Sequence, residues 1–179
     1  MNNYYLRLFF IVMAVFSASC TGQNIKYNIG EYRSIIGLSK SDLVNVYGES
    51  SVLDVEFSLH DPETTENGLK LLLGDAFLFL RTSRGQVSRV LFRSSEFKTK
   101  TGVHVGLSFC DVSAKYTDAK FFFEYSNGGN LSLVEESERI KFTFFTDELP
   151  FEEYILAGIP DKNSSTLCRA NLNYIELFD

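Results

Sequence analysis

The segment Ile36-Gly-Leu-Ser-Lys-Ser-Asp-Leu-Val-Asn-Val-Tyr-Gly-Glu49 returns 69 positions further on (36 to 105) as Val105-Gly-Leu-Ser-Phe-Cys-Asp-Val-Ser-Ala-Lys-Tyr-Thr-Asp118, with Gly, Leu, Ser, Asp and Tyr in register. An internal repeat fixes domain organisation before any other feature does. The chain reads as two copies of one unit, and this favours a two-lobed binding surface over a single catalytic cleft.

Each copy reads as a helix start. Ser39 and Ser108 stand where a hydroxyl caps free backbone N–H groups, and Asp42 and Asp111, three residues on, supply the acidic half of a capping box. Leu38 with Leu43, and Leu107 with Val112, occupy hydrophobic-staple positions. Tyr47 and Tyr116 follow one turn later on the same face. Gly48 is a good C-terminal stop and Thr117 a poor one. A phosphate cradle at these helix starts is the alternative, but such loops need several glycines and usually a lysine, and each copy has one Gly before its cap.

Downstream of each helix the pattern is that of strands. Ser51–Leu59, Leu69–Leu73, Ala76–Leu80 and Gln86–Arg93 form the first set, with Gly74-Asp75 suited to a type II′ hairpin turn. Ala119–Tyr125, Leu131–Glu135, Arg139–Phe145 and Asn171–Phe178 form the second, with an insertion at about 147–165. Short turns pair successive strands antiparallel, so the expected fold is α+β: two tandem repeats, 31–97 and 98–179, each a short helix packed on a four-stranded antiparallel meander. Phe121, Phe123 and Tyr125 share one face while Phe122 points to the other; Ile140, Phe142 and Phe144 likewise oppose Phe145. A sheet with helices on one side normally shows water a polar second face. The apolar second face here is covered by the other half or by the insertion, or it is a patch for a protein partner.

The N-terminus carries an address. Arg7 precedes the apolar run Leu8–Phe16 and the small residues Ser17-Ala18-Ser19, so residues 1–19 read as a signal peptide too short to remain as a spanning helix. Cys20 follows directly, in the position of a lipidated first residue, and residues 20–30 read as a tether. The expected location is the periplasmic face of a bacterial cell envelope, with secretion as the outcome if Cys20 is not lipidated. The chain's net charge of −6 becomes one unit more negative without Arg7, which disfavours nucleic acid as a partner. In an oxidising compartment Cys110 and Cys168 are expected to pair. Cys110 aligns with Ser41 at the helix offset, and Cys168 aligns with Ser83 at the last-strand offset of 85 (87 to 172). Such a bridge closes a long loop, worth about 4 kcal/mol in the chain-entropy account.

Little in the chain suggests chemistry. The two histidines, His60 beside Asp61 in a polar loop and His104 between Val103 and Val105, occupy unrelated settings, and no nucleophile, base and acid come together in sequence. The acidic groups Glu135, Glu136, Glu138 and Asp147, Glu148, Glu152, Glu153 lack the spacing of a calcium loop and read as solvated charges, with Glu152 and Glu153 placed to rim a contact surface. No cofactor, metal or catalytic residue is expected.

Gly37-x-Ser39-x-x-Asp42-Leu43, the Tyr47-Gly48 helix end and the Gly85-x-Val87-x-x-Val90 strand, behind a lipoprotein-type signal, resemble the outer-membrane assembly lipoproteins of the SmpA/OmlA (BamE) type and the tandem-repeat β-lactamase inhibitor proteins. The tandem arrangement, over about residues 31–179, is nearer the inhibitor architecture. The resemblance implies a helix-on-sheet unit and a grip on the partner by aromatic residues of a concave sheet, with Phe122 and Phe145 in comparable places. The expectation is a lipid-anchored envelope protein that binds another protein as inhibitor, immunity factor or assembly component; the alternative is an envelope enzyme or small-ligand carrier with a pocket between the lobes. Cys20→Ser is expected to release the processed protein from membranes, and a membrane fraction that retains this variant after leader cleavage would exclude the anchor.

Overall fold

In a computed structural model, which describes residues 27–58, 65–124, 130–145 and 165–179, both Gly-Leu-Ser segments start an α-helix. Helix α1 spans Lys40–Tyr47 and α2 spans Phe109–Lys115. At α1 the Ser39 hydroxyl accepts from the Asp42 N–H at 3.2 Å, while the Ser39 N–H donates to the Asp42 carboxylate at 2.9 Å, completing the capping box. At α2 the Ser108 hydroxyl accepts from the Asp111 N–H at 3.1 Å. Gly48 ends α1 at φ 89°, whereas Tyr116 ends α2 without a left-handed turn.

The shared glycine has a role that its sequence context does not reveal. Gly37 (φ 88°) and Gly106 (φ 94°) adopt a backbone conformation that side chains disfavour, and each turns its chain onto a strand. Gly37 N–H donates to Val87 C=O at 2.7 Å and Val87 N–H returns a bond to Leu38 C=O at 2.8 Å. Gly106 and Leu107 make the same two bonds with Leu172, each at 2.8 Å. These segments therefore dock on strands and are no phosphate cradle.

The strands are β1 (Tyr27–Asn28), β2 (Val52–Phe57), β3 (Glu66–Leu73), β4 (Ala76–Ser83), β5 (Gln86–Phe92), β6 (Phe97–Lys98), β7 (Lys120–Glu124), β8 (Asn130–Glu135), β9 (Ile140–Phe145) and β10 (Leu172–Phe178). Eight of them form one antiparallel sheet in the order β2-β3-β4-β5-β10-β9-β8-β7; β1 and β6 pair separately and in parallel. In place of two lobes there is one continuous sheet, because β5 and β10 hydrogen-bond to each other from Phe92 opposite Ile175 to Arg89 opposite Phe178. Turn chemistry follows residue type. Gly74 has a positive φ and Asp75 does not, as a type II′ hairpin requires, while Arg84 (φ 53°) and Gly85 (φ 77°) are both left-handed, as in type I′.

Both α-helices and the 3₁₀ helices Ile29–Ile35 and Ser165–Arg169 pack on one face of this sheet. Leu43 of α1 and Phe109 and Val112 of α2 are buried against a single core that crosses the β5–β10 seam and includes Leu71, Leu78, Leu80, Val90, Phe92, Ile175, Phe142, Phe144 and Leu133. Burial lifts the Tyr47 phenol to about 12 and raises that of Tyr116, so both tyrosines are neutral packing groups.

Two sequence expectations change here. Tyr27–Gly30 belong to the fold and not to a tether: Tyr27 stacks on Phe97 at 5.1 Å, and a 3₁₀ helix, Ile29–Ile35, buries Ile29 and Ile35 completely. His104, expected from its place between two valines to point to solvent on a short strand, is in no strand; its half-buried ring places Nδ1 2.9 Å from the Val105 carbonyl oxygen. Just after the expected insertion, Ser165–Arg169 forms another 3₁₀ helix, from which Cys168 bonds to Cys110 of α2 with Cα atoms 4.8 Å apart.

The two bonds from Ser39, side-chain hydroxyl first and backbone N–H second, hold the Asp42 carboxyl below the usual carboxylate range. A depressed folded-state pKa contributes stability that is complete above the unfolded value of about 3.9 and disappears as pH falls through the folded value. Asp42→Asn is therefore expected to lower unfolding free energy by about 1 kcal/mol at neutral pH, and the deficit should shrink as pH falls below the usual carboxylate range and the wild-type carboxyl takes up its proton. Urea titrations over a series of falling pH values check this.

Candidate functional site

Alternation along the strands sends every second side chain to the face that the described helices leave uncovered. Cross-strand register identifies its rows: Leu53–Lys70–Phe79–Leu91–Glu176 runs through the first half to the seam, and Tyr174–Thr143–Ser132–Phe122 runs from β10 to the far edge. This helix-free face holds a second, smaller apolar cluster, in which Phe57, Leu91 and Tyr174 are buried and Val55, Phe79 and Phe145 are partly so. The Phe57 and Phe79 rings lie 5.0 Å apart, and Phe145 meets Tyr174 edge-on at 6.1 Å. Gly68 makes room for the Phe57 ring, since a Cβ there would come within 2.6 Å of it.

A charged network crosses the middle of this face. The Glu176 carboxylate, 2% exposed, accepts from Arg89 at 2.9 Å and from Arg81 at 3.5 Å. Arg81 also forms a two-pronged pair with Glu66. Burial opposes the charge on Arg81, yet the Glu66 hydrogen bond and the fields of Glu176 and Glu66 outweigh it and raise its pKa. Two hydroxyls beyond the seam, Ser132 Oγ and Thr143 Oγ1, are buried without a hydrogen-bond partner, although they face each other across β8 and β9. Each unsatisfied group costs about 1–3 kcal/mol.

The face also carries the exposed apolar surface. Among the described residues the large hydrophobic side chains that remain most accessible are Leu53 (41%), Phe77 (36%) and Phe122 (45%), and all three lie on it. The Lys70 ammonium sits 4.0 Å above the Phe77 ring.

The expected site residues are placed as follows. Phe122 is exposed on this face, and Phe145 lies on the same face, packed beside Tyr174. Cys110 and Cys168 are bonded on the opposite, helix-bearing side. Cys20, His60, Glu152 and Glu153 lie outside the described residues. The charged network was not foreseen; its signal is a single Glu within the apolar run Tyr174-Ile-Glu-Leu-Phe178 and an Arg after the apolar stretch of β4.

A cleft of about 400 Å³ opens on the other side of the molecule, between the 3₁₀ helix Ile29–Ile35, the segment after β6 and the β8–β9 turn. Its cations are already engaged: Arg33 donates to the carbonyls of Glu138 and Phe178, Lys100 pairs with Glu138 at 2.5 Å, and Arg139 pairs with Asp179 at 3.0 Å. The seam between the halves, where a pocket between lobes was the alternative expectation, is filled by the paired β5 and β10. No cluster of three His, Cys, Asp or Glu side chains able to hold a metal occurs among the described residues, and no described helix is long and apolar enough to cross a membrane.

No protein-family model matches the chain, and no curated protein matches it in sequence. The fold is similar to the crystal structure of the uncharacterized protein YfeY from Escherichia coli, at 15% identity and a TM-score of 0.52, over 86% of this chain and 97% of that one. At this identity the likeness speaks for the fold alone.

Replacing Glu176 by Gln leaves Arg81 and Arg89 facing a neutral group in the middle of the sheet. Full loss of a buried ion pair typically costs several kcal/mol, but Arg89 is 44% exposed and Arg81 keeps Glu66, so a loss of about 1–2 kcal/mol is expected in chemical denaturation.

Proposed function

We propose that the chain is a lipid-anchored protein of the bacterial cell envelope that works by binding another protein through the helix-free face of its sheet. In this reading the chain is two copies of one unit, joined edge to edge, and the partner is an envelope protein met as an inhibitor, immunity factor or assembly component meets its target. The observation that carries it is that Leu53, Phe77 and Phe122, the most accessible large hydrophobic side chains among the described residues, all lie on that face, Leu53 and Phe77 in the first half of the sheet and Phe122 on the far edge strand. Scattered exposed hydrophobics are ordinary on any protein, but apolar side chains gathered on one side of a sheet and interleaved with Arg and Lys have the composition of a contact surface.

The resemblance to aromatic-gripping inhibitor proteins supports the same face through Phe122 and Phe145. The lipid anchor rests on the leader pattern ending at Cys20. The Cys110–Cys168 pair supports an oxidising location, since such bonds persist outside the cytosol.

The test is capture from solubilised envelopes by wild type, Phe122→Asp, Phe77→Asp and Lys40→Glu. Lys40 lies on the helix-bearing side, 47% exposed and paired with Asp54, so its variant controls for surface charge. A partner that uses the proposed face should bind wild type and Lys40→Glu alike and lose about tenfold or more in affinity to each Phe variant. Equal capture by all four proteins would exclude the face.

A further inference from the structure

We infer that the cleft beside the 3₁₀ helix Ile29–Ile35 binds a small anion, whose carboxylate or phosphate group is received by Arg33. The cleft measures about 400 Å³, and its polar lining includes Arg33, Thr99, Lys100, Ser137, Glu138 and Arg139. Such a volume is that of a small-molecule site, and a few placed polar groups are what fixes a ligand in one.

Arg33 is held there by the packing of its own helix. Ile29, Tyr32 and Ile35 are its buried residues, three apart, as the three-residue turn of a 3₁₀ helix requires. Arg33, one position past Tyr32, stays half-buried and lines the cleft. Its guanidinium donates to the carbonyls of Glu138 and Phe178. Carbonyls hold a guanidinium in place but leave its charge whole. Arg81, half-buried in the sheet, shows the compensated arrangement, with the carboxylates of Glu66 and Glu176 both in reach. Among the described residues no carboxylate stands within ion-pair distance of Arg33. Of its five N–H donors two are used, so donors remain for a planar group with two oxygens.

The charges around it point the same way. Lys100 is paired with Glu138 at 2.5 Å and Arg139 with Asp179 at 3.0 Å, so the uncompensated charge of the lining resides on Arg33. The Glu138 carboxylate is committed twice, because it also accepts from the Tyr116 hydroxyl at 3.3 Å. Lys100 and Arg139 are 69% and 55% exposed, and exposed pairs exchange readily, so both cations can turn toward an entering anion. A concave spot lined by three cations and one carboxylate, on a chain of net charge −6, is a local attractor for negative charge. The cleft lies on the other side of the molecule from the proposed partner face, and neither site depends on the other.

The experiment is equilibrium dialysis of the purified full chain in a non-ionic detergent against radiolabelled inorganic phosphate and, separately, radiolabelled citrate, with sodium chloride holding ionic strength constant. Wild type is expected to bind at least one of them saturably, one molecule per chain; the tighter of the two identifies the group that Arg33 receives. Arg33→Gln, shown by circular dichroism to be folded, should bind at least about tenfold more weakly, as the loss of a charged hydrogen-bond donor implies. If Arg33→Gln does not fold, Lys100→Gln takes its place, since that side chain stands in solvent, and should weaken binding about threefold. Lys40→Glu, on α1 and outside the cleft, should bind as wild type does. Absence of saturable binding of both anions by wild type would overturn the inference, and so would wild-type affinity in a folded Arg33→Gln or, in its stead, in Lys100→Gln.

Discussion

The antiparallel contact between β5 and β10 is the bond on which the architecture depends. Four facing residue pairs, from Phe92 and Ile175 to Arg89 and Phe178, join strands that are far apart in sequence, whereas the other six contacts of the main sheet link strands that are close in the chain or belong to the same half. On the helix side the seam lets Phe92 and Ile175 share a core with both helices. On the other side it brings Arg81 and Arg89 of the first half to Glu176 of the second. Arg33 adds a third link, reaching from the 3₁₀ helix near the start of the fold to the carbonyls of Glu138 and Phe178. The two halves cannot be understood as separate bodies, because their cores and charge networks are both completed at this line.

The two faces of the sheet solve different problems. The helix-bearing face is apolar almost throughout and buries aromatic contacts such as Tyr116 with Phe142, 4.7 Å apart, and Phe109 with Phe144, 5.2 Å apart. The other face mixes buried charge, two unsatisfied hydroxyls and accessible Phe and Leu side chains. Stability alone would favour apolar residues of similar volume at Glu176, Ser132 and Thr143. That such groups are retained there while Phe122 and Phe77 stay accessible is the contrast on which the proposed function rests.

Much of the fold was legible because local chemistry announced it. Ser39 with Asp42 and Ser108 with Asp111 marked both helices, Gly74-Asp75 marked a hairpin, and alternation sorted Phe122 and Phe145 from Phe121, Phe123, Phe142 and Phe144. The cysteine pair followed from two alignments that differ in offset. What stayed hidden depended on distant partners. Tyr27 and Ile29 look like tether residues until Phe97 is placed beside them, and Gly37 and Gly106 look like helix punctuation until Val87 and Leu172 supply their bonds. The candidate face was half legible: its aromatic residues could be counted along each strand, but the Arg81–Glu176–Arg89 network arises from a seam whose register no single strand encodes.

The position of β10 has a further consequence for how the chain is made. Every other strand of the sheet precedes it in sequence, yet it lies in the middle, between β5 and β9. During synthesis, two meanders therefore wait with long hydrophobic flanks unpaired until Leu172–Phe178 emerges and inserts between them. The nascent chain passes its most aggregation-prone moment just before completion of the sheet, and its final cooperative step is the threading of a central stave, not the addition of an outer one.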